Sequence, residues 1–160
     1  MRIIDIVEGT TVDGPGLRTS IYVAGCRHKC EGCHNPQSWD FNAGREMSDD
    51  EVMEVVRRNG FNVSFSGGDP LYQAEAVGRL CRRIREELHK TVWLYTGFVW
   101  EEISREEVYL PLLRNIDVLV DGPFILSRRD TGLRFRGSGN QRIIDVSRSL
   151  ESGETVVLNY

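Results

Sequence analysis

LRTSIYVAGCRHKCEGC, residues 17–33, changes character halfway along. In its first half Leu17, Thr19, Ile21 and Val23 recur at every second position, the period of a half-buried strand. Gly25 closes that strand, and Cys26, Cys30 and Cys33 follow with three and then two residues between them. Three is an awkward number, because a disulfide framework wants an even count and a structural zinc site usually wants four ligands. On the loop alone two chemistries stay open. A Cys3His zinc tetrahedron would recruit His28 or His34. An iron–sulfur cluster with three thiolates would leave one iron open, and an open position is what a catalytic metal site keeps.

The switch from apolar strand to unusual loop recurs downstream. NVSFS (62–66) reads as a second strand, stopped by four turn formers in a row, Gly67, Gly68, Asp69 and Pro70. TVWLY (91–95) is a third, running into Thr96-Gly97, and IDVLVD (116–121) a fourth, running into Gly122-Pro123. Between them lie helices. Ser48 with Glu51 forms a capping box for a helix to about Arg58. Val77, Leu80, Cys81, Ile84 and Leu88 share one face of a helix within 72–89, and VWEEISREE (99–107) suits a short helix. Residues 127–141, rich in Gly, Arg and Ser, read as a long loop, with final strands in QRIIDV and TVVLN.

Strands alternating with helices imply βαβ units and a parallel sheet, and such sheets bind ligands at the carboxyl ends of their strands. The cysteine loop, SGGDP, TG and DGPF all fall at such ends and converge on one rim. A closed eight-fold barrel typically takes about 200 to 250 residues or more. With 160 residues the expected architecture is α/β, an open partial (β/α) barrel of mostly parallel strands, in one domain over 1–160.

Composition excludes other classes. Twenty Lys and Arg against 24 Asp and Glu leave a net charge of −4, without the basic surface that nucleic-acid binding requires. No apolar run approaches the ~20 residues that span a membrane. The stretch MRIIDIVEGTTVDG has acids and glycines where a signal peptide needs an apolar core, so a cytoplasmic location is expected. Thiols stay reduced there, and clustered cysteines read as metal-binding or catalytic. Cys81, inside an apolar helical stripe, reads as core. His28 reads as a solvated side chain, since the sequence names no partner for it. Arg18, Arg134, Arg136 and Arg142 read as surface charges, with the alternative that one of them meets a carboxylate. Trp39, Trp93 and Trp100 are expected in or near the core.

The combination of CxxxCxxC after a first strand, SFSGGDPLYQ (64–73), WLYTGF (93–98), VLVDGPF (118–124) and FRGSGNQRIIDV (135–146) resembles the radical S-adenosylmethionine (SAM) superfamily. Within it, the chain looks like the activases of glycyl-radical enzymes, over about residues 5–146. That resemblance implies a partial barrel of the radical SAM type and a four-iron four-sulfur cluster held by Cys26, Cys30 and Cys33. It implies SAM chelating the fourth iron, with Gly67, Gly68 and Asp69 at its ammonium group and Gly32, Cys33 and His34 near its adenine. Two positions depart from the superfamily pattern: Gly32 stands where an aromatic residue is usual, and Asp69 where Glu is frequent. The implied reaction is one-electron cleavage of SAM to methionine and a 5′-deoxyadenosyl radical, which then takes a hydrogen atom from a partner's glycine. The implied partners are an anaerobic ribonucleoside-triphosphate reductase and a low-potential electron donor such as flavodoxin or ferredoxin. The alternatives are an activase of the pyruvate formate-lyase type and a small zinc-binding interaction domain.

Overall fold

The alternation seen in residues 17–23 becomes an inner strand of an eight-stranded sheet in the computed structural model, which describes residues 1–160. In chain order the elements are β1 (Arg2–Thr10), β2 (Arg18–Val23), β3 (Arg45–Glu46), α1 (Asp49–Asn59), β4 (Asn62–Gly67), α2 (Ala74–Leu88) and β5 (Val92–Tyr95). Then come α3 (Trp100–Ile103), α4 (Leu110–Leu113), β6 (Val118–Asp121), β7 (Arg142–Asp145), α5 (Val146–Ser152) and β8 (Val157–Leu158). The strand order is β3-β1-β2-β4-β5-β6-β7-β8. No helix is long and apolar enough to cross a membrane.

The central strands β2, β4, β5 and β6 pair in parallel, as the strand–helix alternation predicts. The flanks correct the expectation of a mostly parallel sheet. β1 runs antiparallel to β2 and β3, and β7 runs antiparallel to β6 and β8. The sheet is therefore mixed. β1 was not foreseen: its acids Asp5 and Glu8 break the apolar run, and only Ile3 is buried. An antiparallel return needs a short connection rather than a helical crossover, and residues 11–17 supply one. The helix expected over 99–107 contracts to α3, while α4 and α5 are short helices that the periodicity does not reveal.

Helix ends follow local chemistry. Ser48 Oγ accepts from Glu51 N at 3.2 Å and Glu51 Oε2 accepts from Ser48 N at 2.7 Å, the reciprocal pair of a capping box. Gly60, with φ of 69°, ends α1 in the left-handed region. Helices α1 and α2 pack on one face of the sheet, where Val52, Val56, Val77, Leu80, Cys81 and Ile84 meet Ile21, Val63, Phe65 and Leu94. Each such fully buried aliphatic or aromatic side chain contributes roughly 1.5–3 kcal/mol. Cys81 is fully buried in this core, and burial pushes its thiol far above the ordinary range.

The opposite face is built differently. In register across it lie Ser20, Ser64, Trp93 and Val118, and one step on Tyr22, Ser66, Tyr95, Val120 and Ile143. Small hydroxyls on β2 and β4 leave room at that side, while Trp93, Val118, Val120 and Ile143 fill the other with a second apolar cluster. Arg18 belongs to this interior and not to the surface. It is 1% exposed, donates from Nε to Ser64 Oγ at 2.7 Å and from an Nη to Val63 O at 2.6 Å, and lies 5.4 Å over Trp93. Burial pulls its guanidinium down to about 10, still charged at neutral pH.

Arg142 is no free surface charge either. From β7 its Nε reaches Asp121 of β6 at 3.1 Å, and Nη1 and Nη2 reach Glu101 of α3 at 2.9 and 2.7 Å. Those bonds hold the Glu101 carboxyl down at about 2. A depressed carboxylate stabilises the fold above its unfolded value near 4.3 and loses that contribution as pH falls toward 2. Because the Glu101 side chain is 51% exposed, solvent screens the pair to about 1 kcal/mol or less. Glu101→Gln should therefore lower the melting temperature slightly at pH 7 and leave it unchanged near pH 2. A pH-independent difference between the two proteins would show that packing, not charge, is lost.

Candidate functional site

Four strand ends meet at one cavity of about 490 Å³. Its wall contains Cys26, Cys30, Cys33 and His34 from the loop after β2, and Ser66, Gly67, Gly68 and Asp69 from the end of β4. Thr96 and Gly97 after β5 and Gly122 and Phe124 after β6 complete that rim. The four stretches singled out by composition thus line one space, at the carboxyl ends of the parallel strands. Gly32 stands outside the lining, next to Leu126.

The cysteine loop leaves β2 through Gly25, whose N–H donates to Ser38 O at 2.8 Å, and Cys26 N donates to Trp39 O at 3.2 Å. A tight turn brings Cys33 N to Cys30 O at 3.1 Å. None of the cysteines forms a disulfide, and the three in the loop are half-buried. Burial pushes the Cys26 thiol up. The side chains are not drawn into a group tight enough to grip a single ion.

Gly67 and Gly68 are required first by the neighbouring chain. A Cβ on Gly67, whose φ is 99°, would lie 2.6 Å from Val23 N, and one on Gly68 would lie 2.5 Å from Gly25 O. Only glycine lets the β4 end lie this close to the start of the cysteine loop. Asp69, 1% exposed, is a crossing point. Its Oδ1 accepts from Leu71 N at 3.0 Å, capping the short turn at Pro70–Gln73. Its Oδ2 accepts from Gly97 N at 2.9 Å, and Thr96 Oγ1 reaches both oxygens at 3.0 and 2.9 Å. His28 Nε2 lies 2.9 Å from the same Oδ2. His28 is therefore bonded and largely buried, not the solvated side chain that the sequence implied: its partner is 41 residues away.

Gly32 has φ of 72°, and a Cβ there would lie 2.8 Å from Leu126. The left-handed backbone and the Leu126 side chain explain why glycine stands where an aromatic residue is usual. A flat ring arrives from elsewhere: Phe124 packs 5.0 Å from the His34 ring and lines the cavity. Phe124 was not singled out from the sequence, nor were Tyr22, Tyr95, Leu133, Phe135 and Gln141, all in the cavity wall, whereas Arg136, read as a surface charge or a carboxylate's partner, lines that wall too. Phe135 carries φ of 59°, a strain of about 1–3 kcal/mol that only surrounding packing sustains. Trp93 and Tyr160 meet its ring edge-on at 5.6 and 5.4 Å.

The donor set suits a sulfur-ligated cofactor with a polar organic ligand. Three reduced thiols share the wall, and two buried donors in the same wall, Trp39 Nε1 and Tyr95 Oη, have no hydrogen-bond partner. Arg136 also lines the cavity, donating to Gln141 O at 2.8 Å and forming no ion pair.

Comparison with known proteins agrees with this chemistry. The family described as "4Fe-4S single cluster domain" matches residues 12–144. A Vibrio cholerae protein named anaerobic ribonucleoside-triphosphate reductase-activating protein is 41% identical, with 82% of this chain and 90% of the relative covered. Proteins of the same name from Haemophilus influenzae and Escherichia coli K12 are each 37% identical, covering 89% and 81% of this chain and 97% and 89% of the relatives. Likeness of this degree along nearly the whole length of the relatives, in a chain whose cysteine loop and glycine turn share one cavity, places it plainly: the chain belongs to the family of anaerobic ribonucleoside-triphosphate reductase-activating proteins.

Proposed function

We propose that the chain is a radical SAM activase of the partial-barrel type, which installs a glycyl radical on an anaerobic ribonucleoside-triphosphate reductase. The observation that carries this reading is the single cavity shared by the three loop thiols, the Gly67-Gly68-Asp69 turn and Thr96-Gly97. Cys26, Cys30 and Cys33 would hold a 4Fe-4S cluster, and the rest of the wall would hold SAM. The chemistry that the bound pair supplies is one-electron cleavage of a carbon–sulfur bond, which yields methionine and a 5′-deoxyadenosyl radical.

The protein's own residues bind, orient and shield. Arg136, free of acids, suits the carboxylate of SAM, because a guanidinium offers paired donors to such a group. Asp69 already accepts from several protein donors, so it would act on the ammonium group through its negative charge and the turn it organises. His34 and Phe124 offer ring surface beside Cys33 for the adenine. Tyr95 Oη, buried and without a partner, is a donor for a hydroxyl or carbonyl deeper in the cavity.

A radical this reactive must form against its target and away from water. The sheet does not close, since β3 and β8 are its edges. A partner segment inserted at the rim would complete the enclosure, and exposed Val12 and Leu126 stand ready beside it. Glycine is a fitting target because no side chain obstructs its Cα. The test mixes the reconstituted protein, SAM and a strong one-electron reductant under anoxia with the reductase or with pyruvate formate-lyase. Paramagnetic resonance should report a glycyl doublet on the reductase. A doublet only on the lyase would move the protein to the other activase branch. A colourless, iron-free protein that binds zinc would end the proposal.

A further inference from the structure

Residues 27–32 carry the middle of the cysteine loop, and very little ties them down. Their backbone makes one hydrogen bond to other backbone, Cys33 N to Cys30 O, which stays inside the loop. Lys29 adopts φ of 49°, a turn conformation that is uphill for a side chain of this kind. Arg27 lies over the rings of Phe41 and Tyr72 at 5.5 and 6.0 Å, contacts without directional bonds. The one side-chain hydrogen bond leaving the segment is His28 Nε2 to Asp69 Oδ2 at 2.9 Å.

That bond ends at the carboxylate that also takes Leu71 N, Thr96 Oγ1 and Gly97 N. The imidazole is gripped on its other sides as well. Phe98 meets it edge-on at 4.7 Å, Tyr72 lies 5.9 Å away, and a Cβ on Gly97 would lie 2.5 Å from the ring. Three loops, those after β2, β4 and β5, therefore close on one ring.

We infer that His28 is a positioning residue that locks the cysteine loop to the loops cradling SAM, so that the cluster and SAM stand at a fixed separation. The inference rests on the function proposed above. Cleaving SAM needs the reacting atoms held near their productive geometry, where misplacement by an ångström is costly. The loop holding the cluster and the turns holding SAM come from different strands, and His28 joins them. Its Nε2 is the working atom, since the carboxylate can only accept.

The experiment compares wild type with His28→Ala, His28→Gln and His28→Asn. Glutamine carries its amide nitrogen as many bonds from Cβ as Nε2, and asparagine falls one short. All should reconstitute with wild-type iron and sulfide. The dissociation constant for SAM, read from the paramagnetic response of the reduced cluster, should rise about tenfold or more in the Ala and Asn variants, as loss of a hydrogen bond to a charged group predicts. The Gln variant should stay within about threefold, because it keeps that bond. In the metal-free proteins, amide exchange over residues 26–34 should quicken about tenfold with Ala and return with Gln, for the same reason. Lost iron in His28→Ala would overturn the inference by making the imidazole a ligand. Wild-type affinity in His28→Ala, or equal rescue by Asn and Gln, would overturn it too. Should wild type itself show no response to SAM, the proposed function falls, and the exchange arm still decides whether His28 holds the loop.

Discussion

Cys30→Ser is expected to remove the iron–sulfur cluster, and with it all SAM cleavage, while Cys81→Ala keeps both. Cys26, Cys30 and Cys33 line one cavity, and under the proposed function each would contribute one of three sulfurs to the same centre. A serine hydroxyl in place of a thiolate is a hard, weakly acidic donor that suits iron–sulfur ligation poorly, while the backbone turn at Cys30–Cys33 does not depend on the thiol. Loss of any one thiolate should bring iron and sulfide content after reconstitution to background. Cys81 sits in the opposite layer, fully buried among Val77, Leu80 and Ile84, with its thiol pushed far from ionisation. Its replacement by alanine removes one sulfur from the core, costing about 1–2 kcal/mol of stability without touching the centre. Iron and sulfide assays on the four single variants decide the matter. A cluster that survives Cys30→Ser and is lost with Cys81→Ala would replace the proposed ligand set.

Gly68→Ala is expected to cost both stability and SAM binding, although it adds one methyl group. The added carbon would lie 2.5 Å from Gly25 O and 2.9 Å from Gly25 C, backbone atoms that cannot swing aside. Relief requires the β4 end to withdraw from the chain just before Cys26, which breaks the 2.8 Å bond from Asp69 N to Gly25 O. Overpacking of this kind costs about 1–3 kcal/mol, or roughly 2–10 °C in melting temperature for a chain of this size. Because the displaced atoms join the cysteine loop to the Asp69 turn, SAM affinity should fall about tenfold or more, as a shift of an ångström in a binding geometry implies. Gly139→Ala is the control: its nearest neighbour would be Arg128 O at 3.9 Å, an ordinary contact, and both properties should stay at wild-type values. Full stability and affinity in Gly68→Ala would mean that the two segments are not held as closely as described.

Much of this molecule is written in short-range pattern. The alternation in 17–23, the apolar runs near 62–66, 91–95 and 116–121 and the stripe from Val77 to Leu88 appear as β2, β4, β5, β6 and α2. Ser48 and Glu51 meet as a capping box, and Cys81 lies in the core. These features were legible because each depends on residues within a turn or two, where periodicity and turn chemistry act directly. That the unusual loops share one rim also followed from sequence, since parallel strands must end together.

Tertiary structure decided the rest, and in each case through contacts between distant segments. The polar faces of β1 hid a strand that only antiparallel pairing with β2 and β3 defines. Arg18 reads as surface, yet it is interior because Ser64, Val63 and Trp93, on strands 45 or more residues away in the chain, receive it. Asp69 reads as a turn former, but donors from Thr96, Gly97 and His28, up to 41 residues distant, converge on it. Sequence by itself thus determined the parallel inner strands, which turns carry glycine and which cysteines can share a centre, because steric and hydrogen-bonding preferences of neighbours suffice for those. Only the folded chain decided which polar groups are already satisfied, because that depends on partners brought together by burial of the apolar faces between them.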